Sequence, residues 1–177
     1  MSLGKDMDSQ IELETETSRF VALMPLGQDQ ALTVLKGHLL IEELLTELLK
    51  IKLEKCDNPL GIKVGSNTMF AQKLNLYWAI AQKDIKFDVW VALKELNSIR
   101  NKMAHTIEPQ GIDEKIELFN KSVSAHKTYM MPEGKLEFSI CYIYIILNQL
   151  LDREKTHNNL FKSVSLNSIY YFPIKQV

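Results

Sequence analysis

The sequence predicts an all-α helical bundle of about five to six helices, and three observations carry that expectation. Apolar residues recur at three- and four-residue spacings over several long stretches. No stretch of useful length alternates apolar and polar residues with the period of a strand. Clusters of Gly, Pro, Asn and Asp separate the periodic stretches. At 177 residues and 46% hydrophobic content, the chain can bury one good core. A single helical domain over residues 5–177 is therefore expected.

Residues 9–24 are acidic early and apolar late and read as a first helix, stopped by Pro25 and Gly27. A second helix spans 28–55, where Leu32, Leu35, Leu39, Ile41, Leu44, Leu45, Leu48, Leu49 and Ile51 form a stripe wide enough for two neighbours. Gly37 weakens it by roughly 1 kcal/mol relative to Ala, which predicts a bend or a close approach there. The clearest loop is 56–61 with Gly65, Ser66 and Asn67, and it stays inside the domain because neither side could bury its apolar face alone. A third helix over 68–82 carries Phe70, Leu74, Tyr77, Trp78 and Ile80 and breaks at Lys83 and Asp84. The fourth starts near Phe87, runs through Trp90, Leu93, Leu96 and Ile99, and ends before Pro109 and Gly111.

Residues 112–127 form a shorter, more solvated helix, followed by a turn at Pro132, Glu133 and Gly134. The last long helix, 135–155, contains the nearly continuous apolar run 138–151. That run is shorter than the ~20 apolar residues a membrane span needs, so it reads as a core helix and no membrane contact is expected. Tyr170, Tyr171, Phe172 and Pro173 suggest an extended tail docked on the bundle. Trp78, Trp90, Tyr142 and Tyr144 lie at helical spacings and are expected in the core rather than as base-stacking platforms.

A formal net charge of -1 excludes the broad basic footprint of a duplex-binding domain, so any RNA or DNA contact must be local. Cys56 and Cys141 are far apart and lack metal-ligand spacing, which predicts free thiols and a reducing cytoplasmic location. Residues 1–4 have no charged or apolar signal-peptide character and read as an expression scar outside the fold. Ser122, Ser124 and Ser163 have no nucleophile-elbow context. The glycine-rich phosphate loops of the common nucleotide-binding folds are absent, and no cofactor is expected.

The segment that carries chemistry is Arg100-Asn101-Lys102-Met103-Ala104-His105. Arginine is scarce elsewhere, occurring only at Arg19 and Arg153. Within six residues stand a guanidinium, a carboxamide and an imidazole, which can clamp a phosphate, orient a hydroxyl and move a proton. The same residues also suit a plain helix end, where basic side chains meet unpaired carbonyls. Asn101 and His105 share a helical face one turn apart, whereas Arg100 and His105 are separated by ~140°. Their convergence is expected to need local unwinding near Met103 and Ala104, or a second subunit.

The segment 96–105, with an apolar lead-in and Asn-Lys-x-Ala-His after the arginine, resembles the signature of the HEPN superfamily (higher eukaryotes and prokaryotes nucleotide-binding). The resemblance extends to the helical bundle of about residues 28–155 at the level of pattern. It implies a metal-independent endoribonuclease of toxin or phage-defence type, acting as a homodimer on RNA. It further implies 2',3'-cyclic phosphate and 5'-hydroxyl ends, and an antitoxin or nucleotidyltransferase-like partner. By the resemblance His105 is the general acid or base, Arg100 stabilises the phosphorane-like transition state, and Asn101 holds the His tautomer or contacts phosphate. Residues 37–45 also resemble the second helix of mannitol-operon-repressor-like bacterial proteins, which share this bundle. That likeness implies the alternative of a non-catalytic regulatory or protein-interaction module.

His38 and Glu42 lie one turn apart on the second helix, with Glu43 adjacent. No H-E-x-x-H or comparable set accompanies them, so no metal site is expected. With Lys102, these three are candidate supporting residues, an acidic side chain pairing Arg100 or orienting His105. The plainer alternative is a solvated Glu beside a packing His.

Overall fold

The computed structural model describes residues 18–24, 27, 29–56, 58–65, 67–81, 89–125 and 135–169, with side chains to 157. All regular structure among them is helical: α1 (18–23), α2 (Gln30–Lys55), α3 (Phe70–Ile80), α4 (Val89–His105), α5 (Ile112–Ser124) and α6 (Leu136–Ile169). The all-α bundle expected from the sequence is the fold observed. The beginning of the first expected helix, the turn at 132–134 and the aromatic tail lie outside the described residues.

Asp29 starts α2 by accepting a hydrogen bond from the Leu32 backbone N–H at 2.7 Å, which satisfies one of the unpaired donors of a helix start. The main packing of the molecule is α2 against α6, with α3 and α4 laid on other sides of α2 and α5 bridging α4 and α6. Gly37 makes the first contact unusually close. A Cβ there would lie 2.6 Å from Ile140 Cγ2, so the glycine marks a close approach of two helices. Farther along the pair, Glu154 of α6 is buried and held by Lys52 and Lys55 of α2, each Nζ at 2.8 Å. Burial pushes the Glu154 carboxyl upward, but the two lysine hydrogen bonds outweigh it and set the pKa below the ordinary value.

The apolar stripe of α2 differs from the expected one in its first half. Leu32, Leu35 and Leu39 are exposed, while Val34, Gly37, His38, Leu40 and Ile41 face inward. The expected stripe joined every leucine, but α6 contacts the face marked by Gly37, which turns those three leucines outward. Trp78 is also a correction: it is 56% exposed and packs its edge on Trp90 at 5.9 Å between ring centroids. Trp90 and Tyr144 are buried, as expected.

Beyond Lys155 the last helix continues to Ile169, farther than the apolar pattern reached. A polar stretch can prolong a helix already nucleated by a long buried segment. Among the described residues no helix is long and apolar enough to cross a membrane. Cys56 is exposed and Cys141 buried, and the two form no disulfide.

Candidate functional site

Helix α4 is held by an inward face of Val89, Trp90, Ala92, Leu93, Leu96 and Ile99. Anchored there, it presents Asn97, Arg100, Asn101 and His105 to a cleft of about 500 Å³. The opposite wall comes from His38 and Glu42 of α2 and from Asn67, Thr68, Met69, Phe70 and Ala71, where the loop becomes α3. That corner is tied locally. Thr68 N–H donates to the Gly65 carbonyl at 3.1 Å, and the Gln72 carboxamide accepts from Met69 N–H at 3.0 Å.

Arg100 and His105 line one cleft although the helix does not unwind between them. Helix α4 is continuous through His105. The long Arg100 side chain swings toward the Asn101 side, where Nη1 donates to Asn101 Oδ1 at 3.0 Å. Asn101 in turn lies only ~40° from His105 around the axis, so the guanidinium crosses most of the angle that the Cα positions leave open. Arg100 Nε is buried without a hydrogen-bond partner, and among the described residues Arg100 has no carboxylate partner. His105 is exposed at the last position of α4.

Beneath the cleft lies a chain of polar groups between helices. Lys73 of α3 is only 4% exposed and donates to Glu42 Oε1 at 2.7 Å. Glu42 Oε2 lies 3.8 Å from His38 Nδ1, close enough for electrostatic attraction but too far for a hydrogen bond. His38 is 3% exposed, its Nε2 is 3.1 Å from Asn97 Oδ1, and its ring packs on Phe70 at 4.3 Å. Facing a carbonyl oxygen, Nε2 is assigned as the protonated nitrogen. Burial lowers the His38 pKa, outweighing the opposite pull of Asn97 and Glu42, and Arg100 and Lys73 lower it further. His38 is therefore neutral at neutral pH, and its Nδ1 is buried without a hydrogen-bond partner among the described residues.

The remaining candidates lie elsewhere. Glu43 points away from the cleft and forms a two-pronged pair with Arg19, Nη2 lying 2.9 and 3.1 Å from its two oxygens. One position along a helix is a rotation of ~100°, so Glu42 and Glu43 serve different surfaces. Lys102 donates to the Gln110 carbonyl and closes the turn after α4 rather than entering the cleft.

Asn97 and Lys73 were not singled out from the sequence. Asn97 stands one turn before Asn101 on the same face, a visible signal. Lys73 is a charged residue on the α3 face shared by Phe70, Leu74 and Tyr77, a pattern that implies a buried partner. Among the described residues no group of three or more His, Cys, Asp or Glu side chains is placed to hold a metal ion.

No family model, curated protein or solved structure matches the chain.

Proposed function

We propose that this cleft binds a phosphodiester of RNA and cleaves it without a metal ion, in the manner implied by the HEPN-like motif. One observation carries the reading: Arg100, Asn101 and His105 line a single cleft in which the guanidinium has no carboxylate partner among the described residues. A guanidinium left unpaired in a cleft suits an incoming anion, and its planar fork matches phosphate oxygens better than an ammonium does. Lys73 adds to this by neutralising Glu42, the carboxylate on the facing wall.

In the reaction, His105 accepts the ribose 2'-hydroxyl proton as the 2'-oxygen attacks phosphorus. The bond from phosphorus to the 5'-oxygen breaks, and the imidazolium returns the proton to that oxygen. A 2',3'-cyclic phosphate and a 5'-hydroxyl end result, with no net change in protons. Imidazole is the side chain suited to taking up and then returning a proton. Arg100 stabilises the charge that grows on the non-bridging oxygens. The same proposal makes the protein a cytoplasmic toxin or defence effector, working as a homodimer with an antitoxin or nucleotidyltransferase-like partner.

Purified protein incubated with mixed-sequence single-stranded RNA in EDTA tests the chemistry. Cleavage with cyclic-phosphate ends, lost in both His105→Ala and Arg100→Ala, is expected. Intact RNA with the wild-type protein, or undiminished cutting by either variant, refutes it.

A second reading, the regulatory or protein-interaction bundle, draws on the exposed leucines of α2. Leu32, Leu35 and Leu39 follow helical spacing and offer an apolar contact face. This reading predicts that Leu35→Lys disrupts partner capture while Arg100→Ala leaves it intact.

A further inference from the structure

The two walls of the cleft present opposite chemistry. Arg100 offers a guanidinium without a carboxylate partner among the described residues, whereas Glu42 offers a carboxylate on the facing helix. Glu42 is fixed rather than free. Its Oε1 accepts from the buried Lys73 ammonium at 2.7 Å, and behind it the His38 ring is locked by Asn97 and Phe70. Oε2 accepts no hydrogen bond among the described residues, and a quarter of the side chain is exposed. A ligand filling both ends must carry an anion for Arg100 and N–H donors for Glu42.

A nucleotide meets that description when its base edge supplies the donors. A cleft of about 500 Å³ lies within the usual size of small-molecule sites. The four RNA bases differ in what they offer a carboxylate. Guanine places two donors side by side, N1–H and the N2 amino group, so both can be accepted together. Adenine and cytosine set an acceptor nitrogen beside their amino group, which a carboxylate repels. Uracil offers one N–H flanked by two carbonyl oxygens.

We propose that Glu42 is a specificity-determining residue that selects guanine beside the phosphate held by Arg100, with Lys73 and His38 as positioning residues. This deepens the RNA reading of the cleft and rests on it, but it makes no demand on the chemistry of His105. Lys73 and His38 act through Glu42: one fixes an oxygen and the other blocks its retreat toward α4.

Titration calorimetry of the wild-type protein with GMP and UMP, each as the 3'- and the 5'-monophosphate, tests the assignment. GMP is expected to bind roughly 10- to 100-fold more tightly than UMP, the discrimination typical of a good bidentate base contact. Glu42→Gln, which puts an amide donor against guanine's donors, abolishes that preference. Glu42→Asp keeps the charge, withdraws the oxygens by a methylene and weakens GMP alone, which covers the case in which Glu42→Gln does not fold. Equal affinity for the two nucleotides, binding of neither, or a preference retained in a folded Glu42→Gln variant overturns the assignment. RNA cut without regard to base leaves the cleavage proposal standing and removes this one. Selective GMP binding with uncut RNA does the reverse.

Discussion

Replacing Gly37 with alanine sets two known effects against each other at one position. In an isolated helix the change stabilises by about 0.8–1 kcal/mol, because alanine loses less backbone entropy on folding. Here the added Cβ would meet Ile140 Cγ2 at 2.6 Å, Ile140 Cδ1 at 2.9 Å and Met24 Cε at 3.3 Å. Ile140 is fully buried and Cγ2 is attached directly to its Cβ, so relief requires α2 and α6 to separate. Overpacking of this kind costs about 1–3 kcal/mol, which leaves a net destabilisation of roughly 1 kcal/mol. For a chain of this length that corresponds to a fall in Tm of about 2–4 °C. Urea unfolding of Gly37→Ala, Ile140→Ala and the double variant measures it directly. The Gly37→Ala penalty should shrink or reverse when Ile140 is already alanine, because the added methyl then fills space. An unchanged penalty in that background, or a stabilised single variant, refutes the packing argument.

Three other outcomes follow from the same structure. Lys73→Met removes the partner of Glu42 and should lower unfolding stability by about 1–3 kcal/mol, less than for a fully buried pair because Glu42 keeps some water contact; denaturant melts check it. Acid should weaken the fold in two stages, read from unfolding free energy against pH. His38 has a lowered folded pKa, so its contribution is complete above about pH 6.5 and is lost as pH falls from there to the folded value, a limb that His38→Phe removes. The Glu154 contribution is present above about pH 4.3 and disappears as pH falls through its lowered folded pKa, a limb that Glu154→Gln removes. His105→Ala should change stability by no more than about 0.5 kcal/mol, because the side chain is exposed; an intact melting curve then separates lost chemistry from lost fold.

Helix positions were legible in the sequence because leucine and aromatic spacing is a local property of each segment. What the pattern could not choose was which of two apolar faces α2 would turn inward. Leu32, Leu35 and Leu39 are as hydrophobic as the buried leucines, and only the α6 contact at Gly37 decides against them. At the site, Arg100, Asn101 and His105 could be grouped from sequence because they lie within six residues. The angle between the Arg100 and His105 Cα positions leaves out how far a guanidinium reaches, and Arg100 extends to the Asn101 carboxamide. His38 and Glu42 were within reach of a spacing argument. Their link to Lys73, 31 residues beyond Glu42, was not, because it exists only once α3 has folded against α2.

The Lys73 contact with Glu42 also bears on ionic strength. With that carboxylate neutralised, the cleft carries little more than the charge of Arg100, while the whole chain stays near neutrality. On the RNA proposal, few counterions are then displaced when a short strand binds. The logarithm of the binding constant should fall with the logarithm of salt concentration at a slope of about -1, as expected for one or two phosphate contacts on a single strand. Discrimination between sequences would thus persist at salt concentrations that release proteins bound through long basic surfaces.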